Sequence, residues 1–332
     1  MRKAVVTGRG GPEVLSIVEV PSPEPRRGQV RIRVEAAGVA YGDVMRRRGV
    51  LVLPGPFTPG YDVVGIIDAV GSGVDPERIG VRVAAMMPKT GFGGYAEQVC
   101  MPADRTTTVP DGIDPVDAVA LGLNYITARQ IIHRLAGLTA GQSLLIHGAA
   151  GGVGTAALDI GRAAGLTLYG TASAGKHDIV RDRGGIPIDY RSEDFVTVLK
   201  QQAPDGVDAV LDPIGGAHLH RSYATLGPRG TLVVFGVSGD VERGMAGVIA
   251  GVGSVLSLML RLNGKRVRPY GISVSPGTGP ASCCADWAVL LNQHAAGEIT
   301  PLVGARLPLS EVAEAHRLMD AASVVGKIVL TT

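Results

Sequence analysis

The chain has 332 residues, a net charge of +2, and 45% hydrophobic against 19% charged residues. That length allows two domains and a sizeable core, and that composition excludes a disordered tail. The near-neutral balance gives no electrostatic footprint for nucleic acid.

The opening "MRKAVVTGRGGPEV" lacks the long apolar core of a signal peptide. "KAVVTG", "VLSIVEV", "QVRIRVEAAG" and "VVGIIDAVG" are short β-branched runs bounded by Gly and Pro, with "PSPEPRRG" as a loop. The first third therefore reads as β-rich. Arg46, Arg47 and Arg48 form a basic run that reads as a solvated helix face. Cys100, Cys283 and Cys284 make no disulfide framework, which fits a reducing cytoplasm.

From about Tyr125 the pattern changes. "ITARQIIHRLAGL" has helical spacing, and strands then alternate with helices. The strands are "SLLIHGA", "TLYGTAS", "IPIDY", "VDAVLDPIG" and "TLVVFGVSG"; the helices run over 153–164, about 176–183, 193–202 and about 218–226. This alternation predicts a doubly wound parallel sheet inserted into the β-rich part, with a ligand in the cleft between them. "MAGVIAGVGSVLSLML", 245–260, carries no charge and is shorter than the ~20 residues that span a bilayer. It reads as a helix lining a pocket or a subunit contact, with shallow membrane contact the weaker alternative. Two more helices, "CADWAVLLNQHAAG" and "LSEVAEAHRLMDAA", and a strand, "GKIVLTT", close the chain. There is no internal repeat.

The first strand of the alternation runs into "HGAAGGVG". Gly148, Gly151 and Gly154 are three apart, and a helix follows. Such a turn lets backbone N–H groups approach a pyrophosphate. One glycine short of the common fingerprint (Ala149 stands in its place), the motif gains its force from the strand before and the helix after. His147 reads as a packed strand residue. An NAD site places an acid about 20 residues on, to hold the ribose 2′-OH. Here "GTASAGKHD" has no acid at Thr171–Ser173. Ser173 offers a hydrogen bond, Lys176 a cation, and "IDYR" adds Tyr190 and Arg191. These suit a 2′-phosphate, so NADPH is the expected cofactor.

A catalytic zinc needs Cys, His and carboxylate ligands. "AAGVAYGD" offers neither Cys nor His, "PGYDVVG" has Tyr61 where a ligand His could sit, and no C-x-x-C cluster exists. The donor set argues for no metal. Without one to polarise an alcohol, hydride reduction of a quinone or conjugated enone is the better reading. The proton then comes from Tyr41, Tyr61 or water.

"KAVVTGRGGPEVL", "AAGVAYGD", "FTPGYDVVG", "GGYAEQV", "HGAAGGVG", "IDYRSEDF" and "GKIVL" together resemble the zinc-independent quinone oxidoreductases of the medium-chain dehydrogenase/reductase superfamily. "NYITA", "GTASAGKH" and "DPIGG" resemble the branch of vesicle amine transport protein homologues, which includes proteins linked to membranes. The resemblance implies an α/β protein. A GroES-like β-rich catalytic domain would comprise residues 1–123 and 269–332, and a Rossmann-type cofactor domain residues 124–268. It also implies NADPH and a homodimer. By position it places Gly151, Gly152, Val153 and Gly154 on the phosphate turn, and Ser173, Lys176 and Tyr190 on the 2′-phosphate. Asn124, Thr127, Phe235 and Val237 fall near the nicotinamide. Two departures stand out. Ala40 replaces the family's usual Asn, although Asp43 of the same motif remains, and "RRGVLVLP" lacks the tyrosine that enoyl-thioester reductases use. The rival function is an NADPH-binding accessory protein with little catalysis.

Overall fold

Alternating apolar residues pair β1 (Arg2–Val6) with β2 (Leu15–Glu19) antiparallel at the start of the chain. The computed structural model describes every residue except 51–54, 88–91, 237–238, 240–243, 273–274 and 276. The chain divides into two compact units, Met1–Ile126 with Thr278–Thr332, and Thr127–Gly277.

In the first unit follow β3 (Gln29–Val39), helix α1 (Tyr41–Arg47), β4 (Asp62–Val70), β5 (Arg82–Met86), β6 (Gln98–Pro102), β7 (Thr106–Thr108) and α2 (Pro115–Ala120). Helix α3 (Leu123–Arg129) comes next and runs on as a π-helical segment, Gln130–Ala136.

The second unit is a six-stranded parallel sheet. Its strands are β8 (Ser143–His147), β9 (Thr167–Ala172), β10 (Gly185–Asp189), β11 (Val207–Asp212), β12 (Leu226–Val234) and β13 (Arg266–Pro269). The order is β10-β9-β8-β11-β12-β13, and every pairing is parallel. Such strands are covered on both faces and read as continuous apolar runs. Leu144, Leu145, Ile146, Val210, Leu211, Leu232 and Val233 are accordingly fully buried. The connecting helices are α4 (Gly152–Ala163), α5 (His177–Asp182), α6 (Phe195–Gln202), α7 (His218–Ala224) and α8 (Gly244–Met259). The strand order reverses between β8 and β11, the place where open α/β sheets bind ligands beyond their carboxyl ends.

The chain closes with α9 (Pro280–Ala295), β14 (Val303–Pro308), α10 (Val312–Asp320) and β15 (Lys327–Thr331). β15 lies antiparallel to β3, with Ile328 opposite Val39 and Thr331 opposite Ala36. The sheet β14-β15-β3-β4-β5-β7, with β6 on β3, is thus completed by the terminal segment. Val30, Ile32, Val34, Tyr95, Met101, Ile328 and Leu330 fill its core.

The arginine run departs from the solvated face expected of it. Arg47 is fully buried, and its Nη2 donates to both carboxylate oxygens of Asp320 at 2.9 and 2.6 Å. Arg48 pairs with the same carboxylate at 2.8 Å, so only part of the run is solvated. Along α8, Leu258 packs into the second unit's core, while Ile249, Val252, Leu256 and Met259 are exposed. Among the described residues, no helix is long and apolar enough to cross a membrane.

Candidate functional site

β8 ends at His147, and Gly148 turns the chain with φ +66°, a left-handed conformation that favours glycine. The Gly151 N–H bonds back to the Gly148 carbonyl at 2.9 Å, and α4 starts at Gly152. The first four N–H groups of a helix have no intrahelical acceptor. Here Gly151 is exposed and Gly152 and Val153 are half-buried, so this end of α4 is open to an anion. Gly154 is needed for a different reason. A Cβ there would run into the Gly148 carbonyl oxygen and come within 2.6 Å of the Ala149 Cα. The missing Cβ lets helix and turn come close together.

Ser173 follows β9, caps the short turn Ala174–Lys176, and accepts the Lys176 N–H at 2.8 Å through its backbone. Tyr190 follows the neighbouring strand β10 and is 55% exposed, with the Arg191 guanidinium 5.8 Å from its ring centre. Ser173, Lys176, Tyr190 and Arg191 therefore gather at the carboxyl ends of two adjacent strands. No acid ends β9. Phe235 follows β12, and its N–H bonds to the Asp212 carbonyl at 3.1 Å. Val237 lies outside the described residues.

In the first unit, α1 opens with the motif that departs from the family pattern. Tyr41 is its first residue and is partly exposed. Asp43 is fully buried and accepts three hydrogen bonds: Ala40 N–H at 3.1 Å, Gly60 N–H at 3.0 Å and Tyr95 O–H at 2.9 Å. It thereby ties the start of α1 to the residue preceding Tyr61. A Cβ on Gly42 would collide with the Tyr61 hydroxyl. The structure thus gathers Tyr41, Asp43 and Tyr61 round one helix end, with Asp43 fully buried, Tyr61 half-buried and Tyr41 partly exposed. Arg46 lies over the Tyr61 ring, 4.6 Å from its centre, and 4.7 Å from that of Phe92. Burial first, and then the Asp43 charge, pushes the Tyr61 phenol above its usual range.

Burial also raises Asp43 to about 6, although Gly60, Tyr95, Arg46 and Ala40 all pull it down. A carboxyl raised on folding stabilises the protein below its unfolded pKa, about 4, and loses that contribution as pH rises through 6. The loss amounts to about 3 kcal/mol by pH 7. Asp43→Asn should remove this component, and urea unfolding of both proteins at pH 4.5 and 7 measures it. An equal pH dependence in wild type and variant would contradict the assignment.

Asn124 and Thr127 are three apart on α3, Asn124 half-buried and Thr127 buried. The Leu123 N–H at the head of this helix donates to Asp62 Oδ2 at 2.8 Å. Asp62 is also paired with Lys327, Nζ to Oδ2 3.2 Å, and both side chains are buried. Sequence reasoning missed Tyr95, Arg46 and Lys327. Tyr95 of "GGYAEQV" and Lys327 carry no local signal, since their partners Asp43 and Asp62 lie 52 and 265 residues away, and Arg46 meets Tyr61 from a run that reads as solvated. Sequence reasoning also missed a second polar cluster, His147, Asp212, His218 and Ser222, at the carboxyl ends of β8 and β11. Asp212 before "PIGG" was its only local signal.

Among the described residues, one trio of potential metal ligands lies close together: His147, Asp212 and His218, in the second unit. The described residues of the first unit bring no such trio together, so its donor set does not fit a catalytic zinc.

Residues 26–111 match the alcohol dehydrogenase GroES-like domain, and residues 186–330 match a family described as zinc-binding dehydrogenase. The synaptic vesicle membrane protein VAT-1 homolog of Rattus norvegicus is 34% identical, the match covering 99% of this chain and 84% of that protein. The quinone oxidoreductase of Rattus norvegicus is 32% identical, over 99% and 97% respectively. Among solved structures, Escherichia coli quinone oxidoreductase complexed with NADPH superposes with a TM-score of 0.90 at 27% identity, covering the whole of both chains.

Proposed function

The chain belongs to the quinone oxidoreductase and VAT-1 homolog branch of the medium-chain dehydrogenase/reductase superfamily, and from that premise we propose that it is an NADPH-dependent, zinc-independent reductase of quinones or conjugated enones. The observation that carries this reading is the open glycine turn at the reversal of a parallel sheet, beside a strand end that is basic and lacks an acid. The turn fits a dinucleotide because its exposed backbone leaves room for a pyrophosphate, room that a side chain at Gly151 would fill.

In this reading Gly148 and Gly151–Gly154 hold the pyrophosphate. Ser173, Lys176 and Tyr190 hold the 2′-phosphate, and Asn124, Thr127, Phe235 and Val237 hold the nicotinamide end. The bound nicotinamide supplies a hydride. The protein's part is to orient the acceptor and exclude water. Asp43, fully buried, acts as a positioning residue for α1 and for Gly60. Tyr61, with its raised pKa, keeps its proton and serves as a hydrogen-bond donor to a developing oxyanion. Tyr41 or water delivers the proton. The acceptor must already be electron-poor, since the described residues of the first unit bring no metal-ligand trio together to polarise it. In the same reading the protein is a homodimer. The exposed stripe Ile249, Val252, Leu256 and Met259, spaced for one helix face, is apolar surface that a second copy would cover.

Lys176 tests the cofactor assignment. Lys176→Ala should weaken NADPH binding by roughly 1.5–3 kcal/mol, as for a hydrogen bond to a charged group, and leave NADH binding unchanged. Calorimetric titration of both cofactors decides; equal losses for the two would reject the 2′-phosphate site.

A further inference from the structure

The polar cluster at the reversal of the sheet forms a chain whose direction can be worked out by counting protons. The Ser222 hydroxyl has one hydrogen. It lies 2.6 Å from Asp212 Oδ2 and 3.1 Å from His147 Nε2. Asp212 also receives His218 Nδ1 at 2.8 Å on the same oxygen, and the Ile214 and Gly215 N–H groups at 2.8 and 3.1 Å on the other. Burial pushes the Asp212 carboxyl up, but the hydrogen bonds from His218 and Ser222 outweigh it and hold it at about 2. An ionised carboxylate only accepts, so Ser222 must donate to it. Ser222 can then only accept from His147, which places a hydrogen on Nε2.

The other side of the imidazole follows. Burial lowers His147 to about 3, so the ring is neutral and Nδ1 carries a lone pair. Thr171 Oγ1 lies 3.1 Å from it and must donate to it. The Thr171 oxygen in turn accepts the Gly148 N–H at 3.3 Å. Along this path each hydrogen points in one direction, and His218 Nδ1 flanks its end, 3.3 Å from Ser222 Oγ and 2.8 Å from Asp212 Oδ2. The path ends on Gly148, the residue whose own carbonyl receives the Gly151 N–H.

We propose that Gly148 N–H → Thr171 → His147 → Ser222 → Asp212 is a one-way hydrogen-bond chain, with His147 as the neutral Nε2–H tautomer, that positions the pyrophosphate turn for the dinucleotide. The proposal rests on the dinucleotide reading above. Thr171, His147 and Ser222 are positioning residues for the cofactor, and Ser222 acts from α7 through His147. Chains of hydrogen bonds polarise one another, so the buried Asp212 charge stiffens the far end. The metal reading of the same cluster is the rival. The ligand atoms of His147, Asp212 and His218 lie within 4.8 Å of one another, but in the chain His147 Nε2 carries a hydrogen and has no lone pair to give.

Histidine nitrogen-15 NMR of the full chain without cofactor reads the tautomer, and calorimetry reads NADPH affinity. His147 should be neutral and protonated on Nε2. Thr171→Val keeps the shape and removes the hydroxyl; it should disturb the His147 nitrogen signals and weaken NADPH about tenfold. Thr171→Ser should restore both. Ser222→Ala should weaken NADPH by a similar factor, and Thr171→Val stands in its place should that variant fail to fold. His147 protonated on Nδ1 would overturn the proposal, as would unchanged NADPH affinity in Thr171→Val or in folded Ser222→Ala. One equivalent of Zn²⁺ bound by wild type and lost in His218→Ala would overturn it in favour of a metal site. Wild type that binds no NADPH refutes the dinucleotide reading and, with it, the chain's role in positioning the cofactor; the tautomer is read separately.

Discussion

Gly151→Val should abolish binding of NADPH and NADH alike and leave the fold intact. Gly151 has φ −81°, which any residue adopts, and it is exposed, so nothing in the core opposes the change. The new side chain instead occupies the turn. Its Cβ would stand 3.2 Å from the Gly148 carbonyl oxygen, and its methyl groups would project over the open end of α4. The anion site depends on direct approach to backbone N–H groups, which no other group can replace. The loss should be at least about 100-fold in affinity. Circular dichroism checks the fold and calorimetry the binding. Normal NADPH affinity in a folded variant would mean that the dinucleotide lies elsewhere.

Lys327→Met should destabilise the first unit by about 3–5 kcal/mol, the cost of stranding one partner of a buried ion pair. Lys327 Nζ lies 3.4 and 3.2 Å from the two Asp62 oxygens, with both side chains out of solvent. Asp62 also accepts the Leu123 N–H, so the pair links β15, the start of β4 beside Tyr61, and the head of α3 that carries Asn124. Removing the lysine leaves a carboxylate with one backbone donor in an apolar surround. The double variant Lys327→Met/Asp62→Asn removes the stranded charge and should recover part of the loss. Urea unfolding measures both. A loss below about 1 kcal/mol for Lys327→Met would show the pair to be solvated.

The features legible in the sequence are those set by neighbours along the chain. The parallel strands read as uninterrupted apolar runs because both faces are covered, and the glycine turn sits between a strand and a helix that each declare themselves. What was not legible depends on partners far away. The Arg46–Arg48 run looks like surface because Asp320, which draws Arg47 inside, is 273 residues on. Lys327 in "GKIVL" looks like a strand-edge cation until β15 pairs with β3 and brings it to Asp62, 265 residues away. β13, "RVRP", escaped notice because Val267 is its one buried residue, charges and a proline occupying the rest of an edge strand. His147 is the packed strand residue its context suggests, yet its ring nitrogens meet Thr171 and Ser222, 24 and 75 residues distant.

The departures in the α1 segment bear on chemistry more than on fold. Ala40 supplies no side-chain amide, and its backbone N–H is already committed to Asp43. In the proposed reading, orientation of the acceptor then falls to Tyr41 and Tyr61, with Arg46 laid across the Tyr61 ring.

NADPH oxidation with a panel of quinones, enones and simple ketones, with and without a chelator, tests the central claim most directly. The account predicts turnover with quinones and enones, none with simple ketones, and no effect of the chelator. Efficient reduction of simple ketones that the chelator stops would contradict it, and tight NADPH binding without turnover on any acceptor would make the protein an accessory NADPH binder instead.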